Sequence, residues 1–279
     1  MVRLAGALIR AILVVLLLAT PSLLMPGVRP DTTQVVILIG IFAAALTFME
    51  YSSDYPGIVE FRDAPPFNRI RFASLFITVA LLALLARGMY APSNVTAFVS
   101  QLGRMIGDVI DFPYSPVRLV VLMLPPDADV THVQLVRNSA GISYLISLLT
   151  LAVFVIMQRV RRWPAQNGAF NVWINLPTFD PTAGGDVVER LERDARFNVA
   201  LGFLLPFLVP AVTKSATSLF GAVSLENPHT LIWTVAAWAF LPASLFMRGI
   251  AMGRIATMIS EKRMKSAGGS DGQEALVTV

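Results

Sequence analysis

Apolar residues fall in blocks too long for the helices of a water-soluble domain, and charged residues stand almost entirely between the blocks. Six blocks, at about residues 4–25, 34–51, 72–91, 139–158, 197–213 and 231–252, each approach the length that a helix needs to cross a hydrocarbon core of about 30 Å. The pattern predicts an all-α fold, a polytopic membrane helix bundle with six transmembrane helices. The third block reaches that length only if Arg87 snorkels and Met89 and Tyr90 lie at the interface. Pro206 and Pro210 fall inside the fifth, where neighbouring helices can satisfy the carbonyls that proline frees. No small-x-small site follows the first block, so it reads as a retained anchor.

Between the blocks the period changes. Over residues 95–112, Phe98, Leu102, Met105, Ile106, Val109 and Ile110 recur at helical spacing, with Ser100, Gln101, Arg104 and Asp108 on the other side. A helix of that kind is expected to lie along the membrane surface. The run 117–124 is too short to cross. Residues 164–185 are turn-rich, after which Asp186 and Glu189 signal a helix start. That second amphipathic helix, through Val187, Val188, Leu191 and Ala195, is expected to run into the fifth span. The bundle thus carries one or two interfacial amphipathic helices. Residues 1–265 form the integral domain, and 266–279, small and polar, are expected to be a mobile cytoplasmic tail.

Charge sets the orientation. With the amino terminus inside, 16 of the 22 lysines and arginines fall in inner segments, as the positive-inside rule requires. Both termini are then cytoplasmic. Arginine outnumbers lysine 19 to 3, which suggests a bacterial source and hence the inner membrane. Only 14% of residues are charged and 55% are hydrophobic, which makes lipid the expected solvent and the first partner. The net charge of +4 is spread over span ends rather than pooled with aromatics, so no nucleic-acid partner is expected. Cysteine is absent, which excludes thiolate metal sites and thiol nucleophiles.

The chemically densest stretch is the loop 52–71. Its Tyr55, Glu60, Phe61, Arg62, Asp63, Phe67 and Arg69 are the candidate partner-binding residues, with self-neutralised charge in a structured turn as the plain alternative. Mid-span positions carry almost no charge, which removes the usual machinery of ion coupling; Arg10 and Glu50 are the nearest exceptions. A transport path would have to use Pro206, Pro210, Ser143 and Ser147. His132 and His229, both on the outer side, lack the carboxylate spacing of a zinc site, and no nucleotide or hydrolase motif appears. No catalytic residue, metal or cofactor is assigned.

The expectation from these features is a non-enzymatic accessory or scaffolding subunit of a bacterial inner-membrane complex. It would contact other membrane-protein subunits through loop 52–71 and the external lobe 88–138. Its rivals are a small six-helix transporter or lipid-handling permease, and a membrane-embedded enzyme acting at the headgroup.

Overall fold

The computed structural model describes residues 2–27, 30–161, 163–164, 170–180, 182, 184–220 and 225–274. Arg29, Arg162, the side chain of Trp173, much of the turn-rich stretch, side chains beyond 265 and the tail beyond 274 lie outside the described residues. The elements in order are α1 (Val2–Leu24), α2 (Pro30–Ser52), α3 (Phe67–Gly88), α4 (Asn94–Ile110), α5 (Pro116–Val121), α6 (Val130–Val160), α7 (Val172–Asn175), α8 (Val187–Phe220) and α9 (Pro228–Glu274). No strand occurs among the described residues. Six of the helices, α1, α2, α3, α6, α8 and α9, are long and apolar enough to cross a membrane. They mark a multi-pass membrane protein.

Helix ends depart from the apolar blocks, because backbone caps rather than hydropathy decide where a helix stops. α6 starts at Val130, well ahead of the block at 139, where the Asp129 carboxylate accepts from the amides of Thr131 and His132 at 2.9 and 3.4 Å. α8 starts where Asp186 accepts from the amides of Val188 and Glu189, at 2.6 and 3.3 Å, and runs unbroken into the fifth span. At 47 residues α9 is about 70 Å long, far more than a bilayer core requires.

The surplus is used by pairing α8 antiparallel to α9. Gly202 lies so close to α9 that a Cβ there would stand 2.7 Å from the Pro242 carbonyl oxygen, and one on Gly249 would stand 2.6 Å from that of Ala195. The indole of Trp238 donates to the Pro206 carbonyl at 3.1 Å, and Arg263 pairs with Asp186 at 2.6 Å. One seam therefore runs from the apolar part of both helices to the start of α8, whose Leu191 and Ala195 are buried.

Elsewhere small residues bring backbones together, as is common where lipid offers helices no hydrophobic drive to associate. α4 meets α6 through Gly103 and Gly107; a Cβ on Gly141 would stand 2.9 Å from the Gly107 Cα. Ser147 donates to the Ala239 carbonyl at 2.9 Å and Thr150 to Ser74 Oγ at 2.7 Å, which ties α6 to α9 and α3. α5 fills the gap beside α6 and α8 with buried Val117 and Val120. α1 and α2 form a hairpin at the edge. In α2 only Gly40 is buried, and Leu38, Ile41 and Phe42 are largely exposed.

Contacts sort the connecting segments to two ends. Arg3, loop 52–71, the described residues between 163 and 186 and the 248–263 part of α9 are joined at one end by Arg3–Asp54, Glu60–Arg248, Trp163–Ala64 and Asp186–Arg263 contacts. At the other, Arg87 donates to the Leu24 carbonyl at 2.9 Å and Arg137 and Arg118 share Asp111.

Candidate functional site

Loop 52–71 is built around the end of α2. The Glu50 carboxylate accepts from three successive amides, of Gly57, Ile58 and Val59, at 2.9 to 3.1 Å. A carboxylate held by several N–H groups turns the chain back on the helix that carries it. Arg62 closes the turn by donating to the carbonyls of Glu50 and Ser53, at 3.0 and 2.7 Å, and pairs with Asp63 at 3.1 Å. Arg3 reaches in from α1 to Asp54 at 2.6 Å and to the Ser53 carbonyl.

Beneath this turn Phe61, Phe67, Phe154 and Trp163 form one buried ring cluster, with centroids 4.4 to 6.3 Å apart. Phe61 takes a positive φ of 52°, a strained conformation for a bulky residue. The surroundings hold it there: its amide donates to the Asn175 carbonyl at 2.7 Å, and the Asn175 side chain accepts from the Asp63 amide at 3.0 Å. The Trp163 indole donates to the Ala64 carbonyl at 3.0 Å. Glu60 accepts both from Arg248 and from the Thr178 hydroxyl, the latter at 2.7 Å. Arg71 lies over the Phe67 and Phe240 rings, 5.4 and 5.7 Å from their centroids.

Two adjoining cavities open beside the loop. One of about 220 Å³ lies between α1, α2, the loop and α3, and carries Arg10, Tyr51, Arg62, Asn68 and Arg69 on its polar side. The other, of about 740 Å³, shares Arg10, Tyr51 and Arg62 and adds Arg3, Asp54 and Asp63. Arg10 sits over the Tyr51 ring at 4.6 Å from its centroid.

Of the loop residues singled out from the sequence, Phe61 and Phe67 are fully buried. Glu60 and Arg62 are engaged within the chain, while Tyr55, Asp63 and Arg69 are exposed. Trp163, just past the end of α6, is buried in the ring cluster. The residues proposed for a transport path are not gathered around one opening. Ser143 and Ser147 are buried and donate to backbone carbonyls. A cavity of about 470 Å³ lies between α5, α8 and α9, but Pro206 and Pro210 are not in its lining and its walls are mainly apolar, among them Val120, Leu205, Val209, Trp238, Leu241 and Pro242. His132 and His229 each keep a buried Nε2 without a hydrogen-bond partner.

Sequence reading passed over Asn68, Asn175, Tyr51 and Arg248 as site residues. Asn175 lies in a stretch with no periodicity, so nothing local marks it. Arg248 is far along the chain from Glu60, and only tertiary contact joins them. Comparison with known proteins finds no matching family model, no matching curated protein and no matching solved structure.

Proposed function

We propose that this chain is a non-enzymatic accessory or scaffolding subunit of a bacterial inner-membrane complex, with both termini in the cytoplasm. The observation that carries the reading is α2: a helix of 23 residues buries Gly40 alone and leaves an apolar surface along its length. A helix attached chiefly through its neighbour α1 offers a face to a transmembrane segment of another subunit. Loop 52–71 supports the same reading. Its rings, with Glu60 and Arg62, brace the hairpin from within, while Tyr55, Ile58, Asp63 and Arg69 remain exposed. On the opposite end α4 turns Phe98, Met105 and Val109 outward, in keeping with an interfacial helix that rests on lipid or on a partner.

The test is site-specific photocrosslinking in native membranes from Leu38 and Phe42 of α2, Tyr55 of the loop and Met105 of α4. Discrete adducts with one or a few other membrane proteins, from more than one of these positions, are the expected result. Crosslinks to lipid alone at all four positions would remove the proposal. A lipid-handling permease is the second reading, and the apolar cavity lined by Leu205, Val209 and Pro242 favours it. It requires that filling this cavity, for example with Leu205→Trp, abolish lipid movement between vesicle leaflets.

A further inference from the structure

We propose that the cavity of about 220 Å³ between α1, α2, loop 52–71 and α3 is a binding site for the phosphate of an anionic membrane amphiphile, with its hydrocarbon chain running down between α1 and α3. The proposal is independent of the docking role proposed above. It rests on the order of residues along three helices. On α1 Arg10 stands nearer the loop end than Leu13 and Val14; on α3 Asn68 and Arg69 stand nearer that end than Phe72; on α2 Tyr51 stands nearer it than Thr47. Each of the three helix walls therefore turns from polar or cationic to less polar in the same direction, along the helix axes, while the loop closes the polar end with Phe61, Arg62 and Pro65. A headgroup phosphate with an acyl chain has that same gradient.

The charge balance points to an anion. The carboxylates near the cavity are already engaged: Glu50 by three amides, Asp54 by Arg3 and Asp63 by Arg62. Arg10 is held by the Gly6 carbonyl at 2.7 Å and by the Tyr51 ring, neither of which neutralises it. Arg69 is exposed and has no ion pair or hydrogen bond among the described residues. Two guanidinium groups thus face one opening without a carboxylate. Guanidinium forks match phosphate oxygens bidentately and are less strongly hydrated than ammonium groups, so they suit a half-dry site at headgroup depth. The Asn68 amide and the Tyr51 hydroxyl add neutral polar groups to the rim. At about 220 Å³ the cavity has room for a phosphate and its first methylenes.

The test is calorimetric titration of the full-length chain in a neutral detergent with three probes: a short-chain phosphatidate, the matching phosphatidylcholine and inorganic phosphate. Saturable binding of the phosphatidate, about tenfold or more tighter than either other probe, is expected. Arg69→Gln should weaken it about tenfold, and Arg10→Gln with Arg69→Gln should remove it. Because Arg69 has no hydrogen bond or ion pair among the described residues, R69Q is expected to leave folding intact and so separates loss of the site from loss of structure. Arg104→Gln on the exposed face of α4 should bind as wild type does. Equal affinity of wild type and R69Q overturns the site. Phosphatidylcholine binding as tightly as phosphatidate overturns the charge requirement, and inorganic phosphate binding as tightly overturns the lipid source.

Discussion

Arg248 of α9 donates from Nε and Nη2 to the two carboxylate oxygens of Glu60, at 2.6 and 2.8 Å, and so clamps the loop between α2 and α3 onto the last helix. Both side chains are mostly buried, at 24% and 13% exposed. Replacing one partner strands the other. Glu60→Gln or Arg248→Gln should each lower stability by about 2 kcal/mol, the scale of hydrogen bonds to charged groups. The double variant should lose less than the sum of the two, because one interaction is removed twice. Thermal unfolding in detergent, followed through tryptophan emission, measures all three.

The glycines of the α8–α9 seam separate by distance. A Cβ at Gly249 would meet the Ala195 carbonyl oxygen at 2.6 Å and the Val199 amide nitrogen at 2.9 Å, both backbone atoms that cannot swing away. One at Gly253 would meet only the Ala195 Cβ, at 3.7 Å, which is ordinary contact. Gly249→Ala should cost about 2 kcal/mol or more through displaced helices. Gly253→Ala should be neutral or stabilise by up to about 1 kcal/mol from helix propensity. Comparable melting temperatures for the two variants would contradict the seam.

Asn175 holds the turn at Phe61 through one side-chain and one backbone contact. Asn175→Ala leaves the Asp63 amide without its acceptor and should cost about 1–3 kcal/mol. Phe61→Ala empties the ring cluster and should cost about 3–5 kcal/mol. In both, limited proteolysis should cut within 52–71 faster than in the parent, while cleavage elsewhere keeps its rate.

Acid should loosen two helix starts. The Arg263 side chain, followed by the Val188 amide, holds the Asp186 carboxyl below the usual aspartate value. The Thr131 side chain, with amides of α6, does the same for Asp129. A lowered folded-state pKa means that the unfolded chain binds the proton more readily. The stabilisation is therefore fully present above the ordinary aspartate range and fades as pH falls below about 4, through the depressed values. Melting temperature against pH should drop on that acid limb, and Asp186→Asn and Asp129→Asn should each flatten it. An unchanged acid limb in both variants would show that the caps contribute nothing.

Legibility of the site followed the range of its interactions. Arg62 and Asp63 are neighbours in sequence, so their pairing could be read from the loop alone. Glu60 reads in the sequence as a candidate for binding another protein because its partner within the chain, Arg248, lies in α9. Phe61 and Phe67 stood out as rings in a polar loop, yet a ring bound to a partner and a ring bound to the chain's own Trp163 have the same sequence signature.

The chain by itself determined six spans and the grouping of its cationic loops at one end, because hydrophobicity and charge act through the solvent and need no knowledge of neighbours. It also determined the helix start at Asp186, since a cap is satisfied within a few residues, whereas the cap at Asp129 goes unread in hydropathy, which begins that span at residue 139. Only the tertiary structure decided which glycines are seams, which rings are buried and which arginines keep an unneutralised charge beside a cavity. Those properties depend on atoms brought together from distant parts of the sequence, and no local pattern encodes which helix will supply them.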